Sequence, residues 1–118
     1  MTLREIVNIL KGGILSGSDL LDMEVQAGCG CDLMSDVLAF IKPDALLLTG
    51  LTNRQVIRTA EIADIKAICF VRGKHPTQEV VDLSEEKEIP LLTTKLPMFE
   101  ACGRLYRNGL PGCSEFEG

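Results

Sequence analysis

The chain has 118 residues, of which 46% are hydrophobic and 25% charged, a length and balance that suit one packed domain and exclude two separate cores. With a net charge of -5, no Trp and one Tyr, it lacks both the basic surface and the aromatic platform of nucleic-acid-binding proteins. No apolar run approaches the roughly 18 residues of a membrane span and no signal peptide is recognisable, so we expect a cytoplasmic protein with no nucleic-acid or membrane partner.

The first quarter of the chain predicts one helix and two short strands. Thr2 and Glu5 have the spacing of a capping box, and the apolar positions that follow recur at helical spacing until Gly12-Gly13. Ile14-Leu15 is a candidate short strand, and the alternation over 23–27 predicts a second strand.

From Asp32 onward the pattern is regular. Asp32 is a candidate N-cap for a helix that ends before Pro43. Apolar runs typical of buried strands then alternate with amphipathic segments. The predicted strands cover 45–49, 66–71 and 91–93, and the predicted helices cover 53–63, 77–87 and 98–108. This alternation predicts an α/β fold with a mainly parallel sheet flanked by helices, in one domain over 1–118 with a loose tail at 109–118.

A ligand site is expected where the parallel strands end. In such sheets, ligands bind beyond the carboxyl ends of the strands, where loops meet the first turns of helices. The loops predicted there combine glycine, hydroxyl, amide and cationic residues, a mixture that suits a nucleotide phosphate or another anion. The candidate ligand-binding residues are Gly28, Gly30, Gly50, Thr52, Asn53, Arg54, Arg72, Gly73, Lys74 and Thr94.

A simpler interpretation of the same residues stays open, because turns and helix caps favour Gly, Thr and Asn for conformational reasons alone. The sequence contains neither a GxGxxG motif nor a GxxxxGK[ST] motif. We identify no catalytic residue and expect no cofactor.

The five cysteines are an odd number, which fits reduced thiols better than a disulfide framework. Cys29 and Cys31 flank one glycine at a predicted helix start, where the pKa of a thiol is lowered. They are therefore candidates for a metal or redox site, although the remaining cysteines have no paired spacing that would complete four metal ligands.

The segment from Cys31 to Arg107 resembles the DRTGG domain. The resemblance rests on the order of short segments: the helix after Asp32, the strand and turn over 46–50, the polar turn at 52–54, and the closing strand and helix from Ile89. It implies a fold similar to the amino-terminal domain of HPr kinase, self-association into homodimers, and a regulatory role without catalytic residues.

Three hypotheses for function follow. The first is a non-catalytic regulatory or ligand-sensing module that binds a nucleotide or another anionic small molecule. The second is a protein-protein interaction module for a partner enzyme. The resemblance implies that this partner is a signalling or hydrogenase-related protein. The third is a small metal or redox protein that uses Cys29 and Cys31.

Overall fold

Five strands form one sheet in the computed structural model, which describes residues 1–114. The strand order is β1-β5-β4-β3-β2, so the last four strands follow one another across the sheet in chain order. β2 to β5 are parallel, and β1 pairs antiparallel with β5. The strands are β1 Gly13–Ser16, β2 Ala27–Gly30, β3 Ala45–Thr49, β4 Ala67–Phe70 and β5 Leu91–Thr93. The prediction of an α/β fold with a mainly parallel sheet is confirmed.

Five α-helices cover the two faces of this sheet, and a short 3₁₀ turn at Ser18–Leu20 follows β1. The helices are α1 Leu3–Leu10, α2 Met34–Phe40, α3 Arg54–Ile62, α4 Gln78–Glu86 and α5 Met98–Arg107. α2, α3 and α4 connect the parallel strands and pack in a row on one face. α1 and α5 pack together on the other face, so the architecture has three layers.

The core has two halves because side chains alternate along each strand. In β3, Leu46 and Leu48 join the half formed with α1 and α5, and Leu47 joins the half formed with α2, α3 and α4. In β4, Cys69 faces α1 and α5 while Phe70 faces the other way. Both strands are buried along their whole length, which explains their continuous apolar sequence.

The predicted capping box at α1 is confirmed. The Thr2 hydroxyl accepts a hydrogen bond from the Glu5 amide at 3.1 Å, and the Glu5 carboxylate accepts one from the Thr2 amide. The other predicted cap, Asp32, is wrong. α2 begins after Leu33 without a side-chain cap, because the Asp32 carboxylate is used elsewhere.

The predicted strand over 23–27 is also wrong, since β2 begins at Ala27 and continues to Gly30. Gly28 and Gly30 therefore lie in a strand and not in a loop. Their alternation with the cysteines has a packing reason. A Cβ on Gly30 would lie 2.6 Å from the Cys102 sulfur of α5, so glycine allows α5 to approach β2 closely.

The segment after α5 is not a loose tail as far as residue 114. Leu110 is buried, and the Gly28 amide donates a hydrogen bond of 2.8 Å to the Pro111 carbonyl. Gly112 forms a parallel bridge with Gly28 at the open side of β2. The rest of the predicted tail, residues 115–118, lies outside the described residues.

Gly12 offers a test of the turn between α1 and β1. A Cβ at this position would collide with the backbone carbonyl oxygen of Thr93 in β5, which cannot move away without disturbing the sheet. We expect Gly12→Ala to lower the free energy of unfolding by about 1–3 kcal/mol, measured by urea denaturation. Gly103→Ala is the matched control, because a Cβ there has no neighbour within 4 Å. It is expected to stabilise α5 by up to about 1 kcal/mol, and equal effects of the two substitutions would contradict the packing described.

Candidate functional site

The four parallel strands end at one edge of the sheet, which we call the carboxyl edge. Because β2 to β5 are parallel neighbours in chain order, the loops that follow them lie side by side. These loops carry the predicted ligand residues from Gly50 to Lys74. The expectation that the glycine-bearing turns share one rim is confirmed for the loops after β3 and β4, and the loop after β5 lies at the same edge.

Asp32 dominates the end of the carboxyl edge at β2 and β3. Its Oδ1 accepts a hydrogen bond of 2.8 Å from the Thr49 hydroxyl and another of 2.8 Å from the Gly50 amide. The Thr49 hydroxyl in turn accepts from the Leu51 amide at 3.2 Å. The backbone amide that was expected to hold an anion is therefore already bound to a carboxylate of the same chain.

The rest of this loop supports α3. Asn53 caps the helix, because its Oδ1 accepts from the Val56 amide at 3.3 Å. The Arg54 guanidinium pairs with the Glu79 carboxylate of α4 at 2.7 Å, and both side chains are largely exposed. Such an exposed ion pair contributes only about 0–1 kcal/mol and can exchange its partner for a ligand. Thr52 is half-buried beside these residues.

The loops after β4 and β5 are joined by backbone hydrogen bonds. The Arg72 amide donates to the Leu96 carbonyl at 2.9 Å, and the Gly73 amide donates to the Thr94 carbonyl at 2.8 Å. Arg72 and Gly73 both have positive φ, at 59° and 69°. The backbone of this tight turn is therefore held against the loop after β5, while the side chains of Arg72 and Lys74 are exposed to solvent.

Three cations lie on these joined loops. Arg72, Lys74 and Lys95 are all exposed, and the Lys95 stem passes over Gly73. Within residues 1–114 none of the three forms an ion pair, unlike Arg54 in the loop beside them. Lys95 was not among the predicted site residues. The signal that identifies it is the pairing of its loop with the Arg72 loop, which sequence spacing does not reveal.

Thr94 has a structural role. It is only 2% exposed, and its hydroxyl donates to the Leu10 carbonyl at 2.9 Å and accepts from the Leu96 amide. The hydroxyl thus provides a hydrogen-bond donor to a carbonyl at the end of α1, and it holds the loop after β5 in place. Because both of its hydrogen-bonding functions are used inside the protein, we leave Thr94 out of the ligand surface proposed below.

Gly28 and Gly30 lie apart from this cation-bearing surface, on the side of β2 that faces α5. With Cys102 and Leu110 they line a cavity of about 100 Å³. A Cβ on Gly28 would lie 3.1 Å from Leu110. Both glycines are thus explained by the close approach of α5 and of the segment that follows it.

The cysteines do not have the environment that was expected of a helix start. The pKa of the Cys29 thiol is raised to about 11, mainly by burial and in addition by the nearby Cys113, Cys31 and Cys102. The expectation of a lowered pKa for Cys29 is wrong, because Cys29 lies in β2 and not at the amino terminus of a helix. Among residues 1–114, no three Cys, His, Asp or Glu side chains come together as ligands for a metal ion.

No helix within the described part of the chain is long and apolar enough to cross a membrane.

The fold has a solved relative. The crystal structure of the CBS and DRTGG domains of the regulatory region of Clostridium perfringens pyrophosphatase, complexed with the activator diadenosine tetraphosphate, matches with a TM-score of 0.74 and 17% sequence identity. The match covers 93% of the present chain and 47% of the pyrophosphatase chain, so the chain spans about half of that protein's regulatory fragment. No curated protein shows significant sequence similarity to the chain.

The family model of the DRTGG domain matches residues 5–107. This range is wider than the expected 31–107 and includes β1, β2 and all but the first two residues of α1, so most of the amino-terminal helix and both edge strands are part of the domain. The chain belongs to the DRTGG domain family.

Proposed function

We propose that the protein is a non-catalytic regulatory module that senses a nucleotide or another anionic small molecule at its carboxyl edge. The observation that carries this proposal is a group of exposed cations, Arg72, Lys74 and Lys95, that form no ion pair with any residue from 1 to 114. They lie on two loops that are joined by backbone hydrogen bonds. The chain as a whole has a net charge of -5. A local excess of positive charge on an acidic protein favours one anion site over general attraction to polyanions.

The negative charge of Asp32 determines at which end of the carboxyl edge an anion binds. Its carboxylate already holds the Gly50 amide and the Thr49 hydroxyl, and it would repel a second negative group at that place. The phosphate therefore binds at the end formed by β4 and β5, where Arg72 and Lys95 extend from neighbouring loops. Arg54 stands between the two ends and can leave Glu79 for the ligand.

A nucleotide is the favoured ligand class, and the pyrophosphatase fragment supports this choice. That structure is a regulatory region that contains a DRTGG domain and is complexed with a dinucleoside polyphosphate activator. By analogy, the present chain regulates an enzyme, as a module that transmits ligand binding to its partner. Its five free cysteines suit the reducing cytoplasm, where we propose that it acts.

We further propose that the protein is a homodimer formed through the β2 side of the sheet. Phe40 of α2 and Tyr106 of α5 flank this edge strand, and the two residues are 73% and 72% exposed. Two large aromatic side chains beside an edge strand are typical of a surface that is covered by a partner. A twofold axis beside β2 would place the same residues of two copies against each other.

The ligand proposal predicts binding that depends on the cations of the carboxyl edge. We expect ATP or diadenosine tetraphosphate to bind in isothermal titration calorimetry, and a ligand at about 100 times its Kd to stabilise the fold by roughly 2.7 kcal/mol. Arg72→Gln and Lys95→Gln are each expected to raise Kd about tenfold, since each removes a charge-assisted hydrogen bond.

Arg107→Gln is the matched control for this measurement. It also removes one exposed positive charge, but from the last turn of α5, which runs away from the carboxyl edge. Its Kd is expected to equal that of the unchanged protein. Absence of binding by any phosphate compound would refute the proposal, and so would equal weakening by Arg107→Gln, because that result would mean attraction by total charge alone.

The dimer proposal predicts a specific effect of the two aromatic residues. We expect the Phe40→Ser/Tyr106→Ser double variant to shift the protein from dimer to monomer in size-exclusion chromatography with light scattering. Loss of apolar contacts from both copies raises the dimer Kd by at least about 100-fold. Ile62→Ser is the control, because Ile62 is 71% exposed on α3, away from β2. A monomeric unchanged protein, or dissociation by Ile62→Ser alone, would rule out this interface.

A further inference from the structure

The segment after α5 lies along the open side of β2 as a partial sixth strand. The Gly28 amide donates to the Pro111 carbonyl at 2.8 Å, and Gly28 and Gly112 form a parallel bridge. Leu110 anchors the beginning of this segment in the core half formed by α1 and α5. The position of the segment relative to β2 is therefore fixed by both backbone and side-chain contacts.

This register brings two cysteines together. Cys29 and Cys113 each follow a residue of the Gly28–Gly112 bridge, so they are neighbours across the pair. Adjacent strands lie about 4.8 Å apart, within the Cα separation of about 4.4–6.8 Å that disulfides span. The Cys113 sulfur also lies against β2, 3.7 Å from the Gly28 carbonyl oxygen to which it donates.

In a single copy of the chain, before the proposed dimer covers this side of the sheet, both cysteines are accessible to a small reagent. They line one open cavity of about 720 Å³, which also includes Phe40 and Lys42.

We propose that Cys29 and Cys113 are a redox-active pair that forms a disulfide and fastens the carboxyl-terminal segment to β2. The oxidant is a low-molecular-weight disulfide such as glutathione disulfide. The Cys113 thiol loses its proton, its sulfur attacks the oxidant to form a mixed disulfide, and one glutathione thiol leaves. The Cys29 thiol then loses its proton and displaces the second glutathione thiol, which gives the Cys29–Cys113 bond.

The other thiols near Cys29 are placed less well for this reaction. The Cys31 thiol donates to the Leu33 carbonyl at 3.4 Å, toward α2. Cys102 lies against Gly30 on the face of the sheet that carries α5, whereas Cys29 packs on the opposite face. The geometry thus selects Cys113 from the thiols that surround Cys29.

The raised pKa of Cys29, about 11, assigns the order of the two steps. At neutral pH Cys29 is a protonated thiol and a poor first nucleophile, so it reacts second, inside the protein, where Cys113 holds the mixed disulfide beside it. Between pH 7 and 9 the closing step is expected to accelerate about tenfold per pH unit, because the thiolate fraction of Cys29 rises by that factor. The titratable groups near Cys29 that affect its pKa, Cys113, Cys31 and Cys102, are thiols, and all of them raise it.

The test uses the full chain, reduced and then incubated with glutathione disulfide at pH 8. Trypsin digestion without reduction is expected to give one linked species that joins the peptide 12–54 to the peptide 108–118. Cys29→Ser and Cys113→Ser should each abolish it. Cys31→Ser and Cys102→Ser should leave it unchanged, and the first of these also distinguishes Cys29 from Cys31 within the same peptide.

Thermal denaturation is a second measurement that detects the disulfide, and it needs no proteolysis. The oxidised protein is expected to melt about 10 °C higher than the reduced protein, because the bond closes a loop that includes most of the chain. Cys113→Ser should lose this difference while keeping the Tm of the reduced form. A linked species that survives Cys113→Ser, or full oxidation that leaves only glutathione adducts, would overturn the proposal.

Discussion

The structure depends on one constraint, the parallel order of β2 to β5 across the sheet in chain order. Each crossover must return to the start of the next strand, and all three crossover helices lie on the same face. The other face would be open to water if α1 and α5 did not cover it. Helix α5 therefore crosses back over β2, and this return brings the carboxyl terminus of the domain to the edge strand. The cysteine pair and the aromatic residues at that edge are consequences of the same path.

The sequence Gly-Cys-Gly-Cys at 28–31 shows how such packing determines composition. In β2 the glycines lie on the face toward α5, where a Cβ would be 2.6 Å from the Cys102 sulfur at Gly30 and 3.1 Å from Leu110 at Gly28. Cys29 packs on the face toward α2. Because side chains of a strand alternate between the two faces of the sheet, packing alone accounts for the alternation of glycine and cysteine, and no metal site is needed to explain it. It also explains the pKa of Cys29, because the side of β2 that faces α2 is part of an apolar core half, where burial disfavours the thiolate.

The sequence was sufficient to predict the second half of the fold. Strands β3 to β5 and helices α3 to α5 are continuous apolar runs and amphipathic segments of ordinary length, and each agrees with its tertiary environment. The prediction failed between Met23 and Asp32, because β2 is short, glycine-rich and defined by its partners. Alternation over 23–27 resembled a strand more than Ala27–Gly30 did, and only pairing with β3 identifies the true strand.

The sequence predicts where the candidate site lies, but not which of its polar residues face solvent. Topology alone places the loops after β3, β4 and β5 on one edge, and this much followed from the order of elements. Whether each polar residue faces solvent or the protein depends on hydrogen bonds between distant segments. Thr94 reaches back to Leu10, and Asp32 crosses from the loop after β2 to Gly50.

These two internal bonds have different effects on the carboxyl edge. The Thr94 bond has no net charge and fixes the loop that carries Lys95. The Asp32 bond introduces a carboxylate beside Gly50 and leaves the neighbouring end, with Arg72 and Lys95, as the positive one. The carboxyl edge therefore has a negative end at β2 and β3, beside Asp32, and a positive end at β4 and β5, beside Arg72 and Lys95. A ligand with phosphate at one end and hydroxyl groups at the other matches this polarity better than a simple anion, since its hydroxyls can donate to the remaining oxygen of Asp32.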